Sequence, residues 1–154
     1  IGLLTPTAYR PERAAPRADD TMPDLRALGL RVAGRLAVDD TGLVVFTNDS
    51  ALARRLSEPA AIEQWQLHIR SRHGIEDDAG IAQALREAMP HAQLSAGAPG
   101  RWRVVTPALR KGQWSALADA HGWVIDARRV ARGEVTLGDQ PEATWRVWRS
   151  SNAL

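Results

Sequence analysis

The sequence predicts a fold of the α+β class, because segments with strand patterns and segments with helix patterns are interspersed along the chain. The run 43–46, LVVF, is short, apolar and rich in β-branched residues, which is typical of a strand buried on both faces. Residues 62–70, IEQWQLHIR, alternate so that one face is mostly apolar. Residues 75–89 repeat apolar side chains at helical spacing. A chain of 154 residues suits one domain with its own core, and we expect residues 1–154 to form it.

The segment from Gly34 to Pro59, GRLAVDDTGLVVFTNDSALARRLSEP, predicts a turn, a strand and a helix in that order. Thr41-Gly42 marks the turn. Residues 47–50, TNDS, supply an N-cap, so we expect a helix over 51–56 that ends before Pro59. The other predicted elements are a strand over 1–4, a loop over 5–20, a short helix or turn over 23–30, a loop over 91–100, a strand over 102–106 and, after a basic turn, a helix within 109–122.

Composition excludes several classes of protein. No apolar run reaches the length of about 18 residues that a membrane span needs, and no secretion signal is recognisable. Cysteine is absent, so disulfide and thiolate chemistry are excluded, and we expect a cytoplasmic protein. The histidines His68, His73, His91 and His121 lack the spacing of metal ligands, so we expect no metal site.

The charge is mildly basic and is carried almost entirely by arginine. The net charge is +2, the pI is about 9.9, and all but one of the 20 basic residues are arginine, the exception being Lys111. Arginine suits phosphate recognition, although a coding bias toward arginine explains the same count. This balance permits nucleic-acid binding without requiring it.

The segment that begins at Gly34 also carries a family resemblance. It resembles the catalytic core of the RsuA-like (small ribosomal subunit type) pseudouridine synthases, whose signature is G-R-L-D-x-D-[TS]-x-G-L-L-L-L-T-N-D-G. The matching residues are Gly34, Arg35, Leu36, Asp39, Gly42, Leu43, Thr47, Asn48 and Asp49. The tail 130–146 resembles the end of the same family, in R-V-x-x-G-x-x-x-L-G-D and L-P-x-G-x-W-R.

The resemblance implies a more detailed fold and a partner. It implies a mixed, largely antiparallel sheet flanked by helices, and RNA, most simply ribosomal RNA, as the partner. The family detaches uracil from its sugar and rejoins it through carbon without a metal or a cofactor, after flipping the uridine out of its context. The small RNA-binding domain that usually precedes this domain in the family is not expected within this chain.

The family's catalytic positions are changed in this sequence. Ala37 stands where the family has its catalytic aspartate, a nucleophile or base, and alanine performs neither role. Gln66 stands at the position of the active-site tyrosine. Ser115 and Ala116 stand at the two basic positions, one of which pairs with the aspartate in the family. Three losses together are better explained by natural loss of activity than by one engineered change, so we expect an inactive member of the family.

A displaced carboxylate is the alternative. Asp40 stands where the family has threonine or serine, so it is an added charge three residues after Ala37. A nucleophile misplaced by about 1 Å loses much of its rate. The simpler interpretation is that Asp39 and Asp40 are turn carboxylates that cap backbone N–H groups.

Several basic side chains are candidates for contacts with RNA phosphates. They are Arg35, Arg54, Arg55, Arg70, Arg72, Arg110 and Lys111. For any one of them, a solvated surface charge is the alternative. Trp114 is a candidate for stacking on a base, with core packing on the face it shares with Leu117, Ala118 and His121 as the favoured interpretation.

Three hypotheses follow. The first is an inactive pseudouridine synthase-like protein that binds RNA. The second is an active synthase that uses Asp40, whose activity Asp40→Asn would abolish. The third is a scaffold for protein contacts without RNA affinity, which predicts that the candidate arginines do not share one face. The sequence makes no prediction of the oligomeric state.

Overall fold

A computed structural model describes residues 27–74 and 77–148, together with Arg10 and Asp24. The predicted elements over 1–4 and, apart from Arg10, over 5–20 lie outside the described residues, as do residues 23, 25 and 26 of the element predicted over 23–30. The elements in chain order are β1 (Arg31–Ala33), β2 (Thr41–Gly42), β3 (Val45–Thr47), α1 (Ser50–Ser57), β4 (Ile62–Ser71), α2 (Asp78–Ala88), β5 (Gln93–Ala96), β6 (Arg101–Pro107), α3 (Gln113–His121), β7 (Trp123–Arg132) and β8 (Val135–Thr136).

The main sheet has the strand order β2-β7-β4-β6-β5, with β8 added along β7. Every pairing in this sheet is antiparallel except that of β2 with β7, which is parallel. The predicted fold class, a mixed and largely antiparallel sheet flanked by helices, is therefore confirmed. The predicted strand over 62–70 is β4, and the predicted strand over 102–106 is β6.

The segment from β4 to β7 forms a compact unit of the β-α-β-β-α-β type, with its four strands in the order β7-β4-β6-β5. Helices α2 and α3 cover one face of its sheet. Trp65, Leu67 and Ile69 of β4 lie in the same buried cluster as Leu85 of α2 and Trp114 of α3. The opposite face of β4 is polar and carries no helix of this unit. We call it the open face.

A second, smaller hydrophobic core is formed by elements outside the β4 to β7 unit. Ala33 of β1, Leu56 of α1 and Val135 of β8 are buried together with Leu43. Strands β1 and β3 pair as a separate two-stranded antiparallel sheet. The predicted N-cap of α1 is Asp49, whose side chain accepts hydrogen bonds from the backbone N–H groups that begin the helix.

Two expectations need correction. The run 43–46 is not a doubly buried strand, because strand β3 begins at Val45 and its residues are only half-buried. Leu43 and Val44 lie between strands, since the backbone of Leu43 bonds to Arg129. The predicted loop over 91–100 contains β5, a polar strand at the sheet edge. Its residues, QLSA, give no apolar run, which is why the pattern missed it.

No helix within the described ranges is long and apolar enough to cross a membrane. In the same part of the chain, no group of three or more histidine, aspartate or glutamate side chains is placed to hold a metal ion.

Candidate functional site

The segment Ala37–Asp40 forms a tight turn between β1 and β2. The backbone N–H of Asp40 donates to the carbonyl oxygen of Ala37 at 3.1 Å. Ala37 and Asp40 are half-buried, whereas Asp39 is exposed. A methyl group therefore stands on this turn where the family signature has its carboxylate.

The structure brings one of the predicted basic positions to this turn. The Ser115 hydroxyl donates to Oδ2 of Asp39 at 3.3 Å, so the start of α3 lies against the turn. Ala116 is exposed beside it. Gln66 does not share this location: it lies on the open face, whereas α3 covers the opposite face of β4. The aromatic side chain on the α3 side of β4 is Trp65.

Burial and the neighbouring Asp39 carboxylate raise the pKa of Asp40 above its ordinary value. Glu63 adds to the rise, while Arg129 opposes it. Asp40 is therefore a half-buried acid close to a buried arginine. A carboxyl of this kind is equipped for acid–base work, which keeps the displaced-carboxylate hypothesis open.

A buried cluster of charges lies beneath the turn. Glu63 on β4 accepts hydrogen bonds from Arg129, with Nη1 to Oε1 at 3.4 Å, and from Arg132. Glu63 and Arg129 are only 2% and 1% exposed. The Nε1 atom of Trp65 donates to the other carboxylate oxygen of Glu63 at 2.7 Å. Sequence reasoning missed this cluster, although a glutamate on the apolar face of β4 was a usable signal.

The guanidinium of Arg129 holds the loop from Gly34 to Leu43, which we call the signature loop. Its Nη2 donates to the carbonyl oxygen of Gly34 at 2.6 Å and to that of Leu43 at 2.8 Å. Burial lowers the pKa of Arg129, and Glu63 acts in the opposite direction. The signature residue Gly42 is also required by the structure. Gly42 has φ +107°, and a Cβ there would collide with the backbone of Arg129.

Trp114 packs in the core, as favoured from the sequence. It is 2% exposed, and its ring meets that of Trp65 edge-on, with 5.6 Å between centroids. Its Nε1 has no hydrogen-bond partner in the part of the chain that the structure describes. A base cannot stack on a side chain this deeply buried. The two tryptophans therefore fill the space between α3 and β4.

The predicted RNA-contacting side chains do not form one patch. Arg70 and Arg72 lie at one end of β4, and Arg110 and Lys111 follow β6 near its other end, where Ile62 pairs with Pro107. Ile62 and Arg70 are about 26 Å apart along the strand, at roughly 3.3 Å per residue. Arg70 also forms an ion pair with Asp126 at 3.1 Å.

The remaining predicted side chains lie on segments around the smaller core. Arg54 and Arg55 are exposed on α1, and Arg55 forms an ion pair with Glu134 at 2.9 Å. Arg35 is exposed just after β1, and its carbonyl oxygen accepts from Arg129. All seven predicted side chains are exposed, but they lie in separate regions of the fold.

Sequence reasoning missed a set of arginines that do share a surface. Arg101 and Arg103 of β6 and Arg128 of β7 border a groove of about 660 Å³ on the open face. Gln66 lies between two of them, because it pairs with Arg103 on one side and Arg128 on the other. The available signal was alternation in RWRVV, which places both arginines opposite Trp102 and Val104.

Comparison with known proteins gives one curated relative and one solved structure of note, and no family model matches. The chain is 29% identical over 117 residues to the ribosomal large subunit pseudouridine synthase B of Yersinia pestis, covering 75% of this chain and 35% of the relative. A crystal structure of a pseudouridylate synthase matches with a TM-score of 0.57 at 23% identity, covering 76% of this chain and 53% of that one.

Both matches are to pseudouridine synthases, so they support a relationship of this chain to the pseudouridine synthase superfamily. The structural match shows the fold, and the curated match extends the likeness to the sequence. The chain spans about a third of the length of the curated pseudouridine synthase and about half of the solved one. The turn at Ala37 carries a methyl group where the family signature has its carboxylate.

Proposed function

We propose that this chain is an RNA-binding domain of the RsuA-like pseudouridine synthase type that does not isomerise uridine. The observation that carries the proposal is the turn at Ala37. Arg129 holds the backbone on both sides of this turn, and Ser115 donates to the Asp39 side chain, yet the turn presents a methyl group at the position of the nucleophile. Neither predicted basic position carries a cation, and the space between α3 and β4 is filled by Trp65 and Trp114.

Ribosomal RNA is the proposed partner, and the cytoplasm the proposed location. The curated relative is named for the large ribosomal subunit, so large-subunit ribosomal RNA is the first probe. The predicted arginines are scattered, as the protein-scaffold hypothesis requires, but Arg101, Arg103 and Arg128 share one face, which favours a polyanion. The proposal requires neither a metal nor a cofactor.

The test combines binding with catalysis. Fluorescence anisotropy with fragments of large-subunit ribosomal RNA measures binding. Tritium release from RNA labelled at C5 of uridine measures isomerisation. We expect saturable binding and no release above a protein-free control, because no carboxylate occupies the nucleophile position. A variant that combines Ala37→Asp with Ser115→Arg reports whether the lost groups alone account for inactivity.

A second candidate function is isomerisation by Asp40. The observation in its favour is the raised pKa of Asp40, which is half-buried near Arg129. It predicts tritium release by the unmodified protein that Asp40→Asn abolishes and Asp119→Asn, an exposed aspartate on α3, leaves intact. Release by the unmodified protein on any probe would remove the first proposal. Absence of binding to every ribosomal fragment would leave the protein-scaffold hypothesis.

A further inference from the structure

We infer that the open face of the main sheet is the surface that contacts RNA, and that it holds the ribose-phosphate backbone instead of the bases. The inference rests on the proposed function and names the site that performs it. Of the residues predicted from sequence, Arg70 lies at one end of this face, whereas Arg54, Arg110 and Lys111 lie elsewhere.

The open face concentrates uncompensated positive charge. Arg103 and Arg128 flank Gln66 on neighbouring strands, so their backbones are separated by two strand spacings, about 10 Å. Arg101 follows on β6, where it pairs with His68. No carboxylate of the described residues lies within 4 Å of Arg101, Arg103 or Arg128. Three guanidinium groups thus lie on the open face, on the two strands that flank β4.

Among the described residues that line the groove, Asp126 is the one carboxylate, and it already has basic partners. Asp126 of β7 forms an ion pair with Arg70 at 3.1 Å and lies 4.0 Å from Nδ1 of His68. It neutralises the end of the face near Arg70. The middle of the groove keeps the charge of the other arginines, and a polyanion complements that charge.

The polar lining of the groove supplies hydrogen-bonding groups and one small imidazole, that of His68, but no tryptophan, tyrosine or phenylalanine ring of the described strands β4 to β7 faces it. Nη2 of Arg103 donates to the side-chain oxygen of Gln64 at 2.8 Å, and Ser95 of β5 pairs with Arg103. The tryptophans of the described strands β4 to β7 point the other way: Trp65, Trp102 and Trp123 are all buried. Many proteins with a β-α-β-β-α-β sheet stack bases on aromatics of the open face. This face has arginine and glutamine instead, so it suits phosphate and ribose oxygens.

The test uses two double variants that remove the same charge. The first variant, Arg101→Gln with Arg103→Gln, removes two positive charges from the open face. The second, Arg31→Gln with Arg86→Gln, removes two positive charges from exposed arginines of β1 and of α2 on the covered side. Anisotropy titrations with a ribosomal RNA hairpin across a salt series give Kd and its salt dependence. We expect the first variant to weaken binding by about tenfold and to lower the slope of log Kd against log salt by roughly 2. The second variant should stay within about twofold of the unmodified protein.

Further variants separate charge from base recognition and from misfolding. Arg101→Lys with Arg103→Lys should retain most of the affinity, because a phosphate contact requires charge and not a bidentate fork. Arg128→Gln provides an independent probe on β7, expected to lower the slope by about 1. A 12-mer RNA duplex should bind at least as tightly as a 12-mer of polyuridine, because stacking would favour the single strand.

The failures are distinguishable. If the unmodified protein binds no ribosomal RNA, the proposed function and this inference both fail. If it binds RNA but the two glutamine double variants lose affinity equally, or if Arg128→Gln has no effect, this site assignment is wrong and the proposed function stands. A strong preference for polyuridine would overturn the assignment of backbone contacts.

Discussion

Arg129 and Leu43 are joined by three hydrogen bonds. Nε and Nη2 of Arg129 donate to the carbonyl oxygen of Leu43 at 3.2 and 2.8 Å, and the backbone N–H of Leu43 donates to the carbonyl oxygen of Arg129 at 2.8 Å. Two of these bonds carry the charge of the guanidinium. A single residue of β7, Arg129, thus contacts the signature loop through both its side chain and its backbone.

Removal of this side chain should destabilise the fold strongly. We expect Arg129→Met to lower the free energy of unfolding by about 3–5 kcal/mol, because Glu63 loses one of its two buried cationic partners and the carbonyl of Leu43 loses its donor. Urea denaturation followed by tryptophan fluorescence measures the change. Arg128→Met, on the open face one residue earlier, is the control and should shift it by less than about 0.5 kcal/mol. Equal losses in both variants would contradict the assigned role.

Two glycines, one before β1 and one in the signature loop, provide a second comparison. Gly29 and Gly42 both have positive φ, but a Cβ at Gly29 meets nothing within 4 Å, whereas one at Gly42 collides with the backbone of Arg129. We expect Gly29→Ala to cost about 1–2 kcal/mol from conformation alone, and Gly42→Ala to cost clearly more. Thermal melts of both variants report the difference. Similar melting temperatures would mean that the loop relaxes without loss.

The two core tryptophans should respond differently to loss of their indole N–H. In Trp65→Phe the carboxylate of Glu63 loses a donor at 2.7 Å, so we expect a cost of about 1–3 kcal/mol. In Trp114→Phe an indole N–H without a partner among the described residues is removed, so the cost should be smaller than for Trp65→Phe. Urea midpoints of the pair measure this, and the opposite order would contradict the hydrogen-bond assignment.

Asp40 should impose a pH dependence on stability. Its pKa is raised in the folded state above the ordinary 3.8, so the folded chain holds this proton more tightly than the unfolded chain. Stability from this group is therefore greatest below about pH 3.8 and falls as the pH rises through the folded pKa. We expect Asp40→Asn to stabilise the protein at pH 7, by less than about 1 kcal/mol because the side chain is partly solvated.

Melting temperatures between pH 3 and pH 8 measure this effect. The gain from Asp40→Asn should vanish at the acid end of the series. Asp119→Asn, on the exposed surface of α3, is the control and should change the melting temperature little at any pH. If the stabilisation by Asp40→Asn persists unchanged to pH 3, the negative charge of Asp40 is not the cause of the stabilisation.

Most of the fold followed from patterns with a clear period. The alternation of β4 put Trp65, Leu67 and Ile69 on the covered face, and the capping residues before α1 included Asp49. Strand β5 had no such signal, because an edge strand with one half-buried side chain needs no apolar run. The segment 43–46 misled for the opposite reason: an apolar run forms a strand only where its backbone is free to pair.

The site was less accessible to sequence reasoning because it depends on which face a residue occupies. A one-residue change of register moves a side chain to the other side of a sheet. The family register placed glutamine at the tyrosine position, and Gln66 lies on the open face, while the neighbouring Trp65 lies on the side of α3. Arg101 and Arg128 come from distant parts of the chain, and only the strand order brings them together.

The position of Glu63, Arg129 and Arg132 bears on how the protein unfolds. Glu63 lies beside Trp65 in the larger core, while Nε of Arg132 donates to the carbonyl oxygen of Leu56 in the smaller one. Opening either core alone would separate buried charges from their partners in the other core. Unfolding of one core without the other therefore has an added free-energy cost. The two cores should therefore behave as one cooperative unit, with a calorimetric enthalpy equal to the van't Hoff enthalpy.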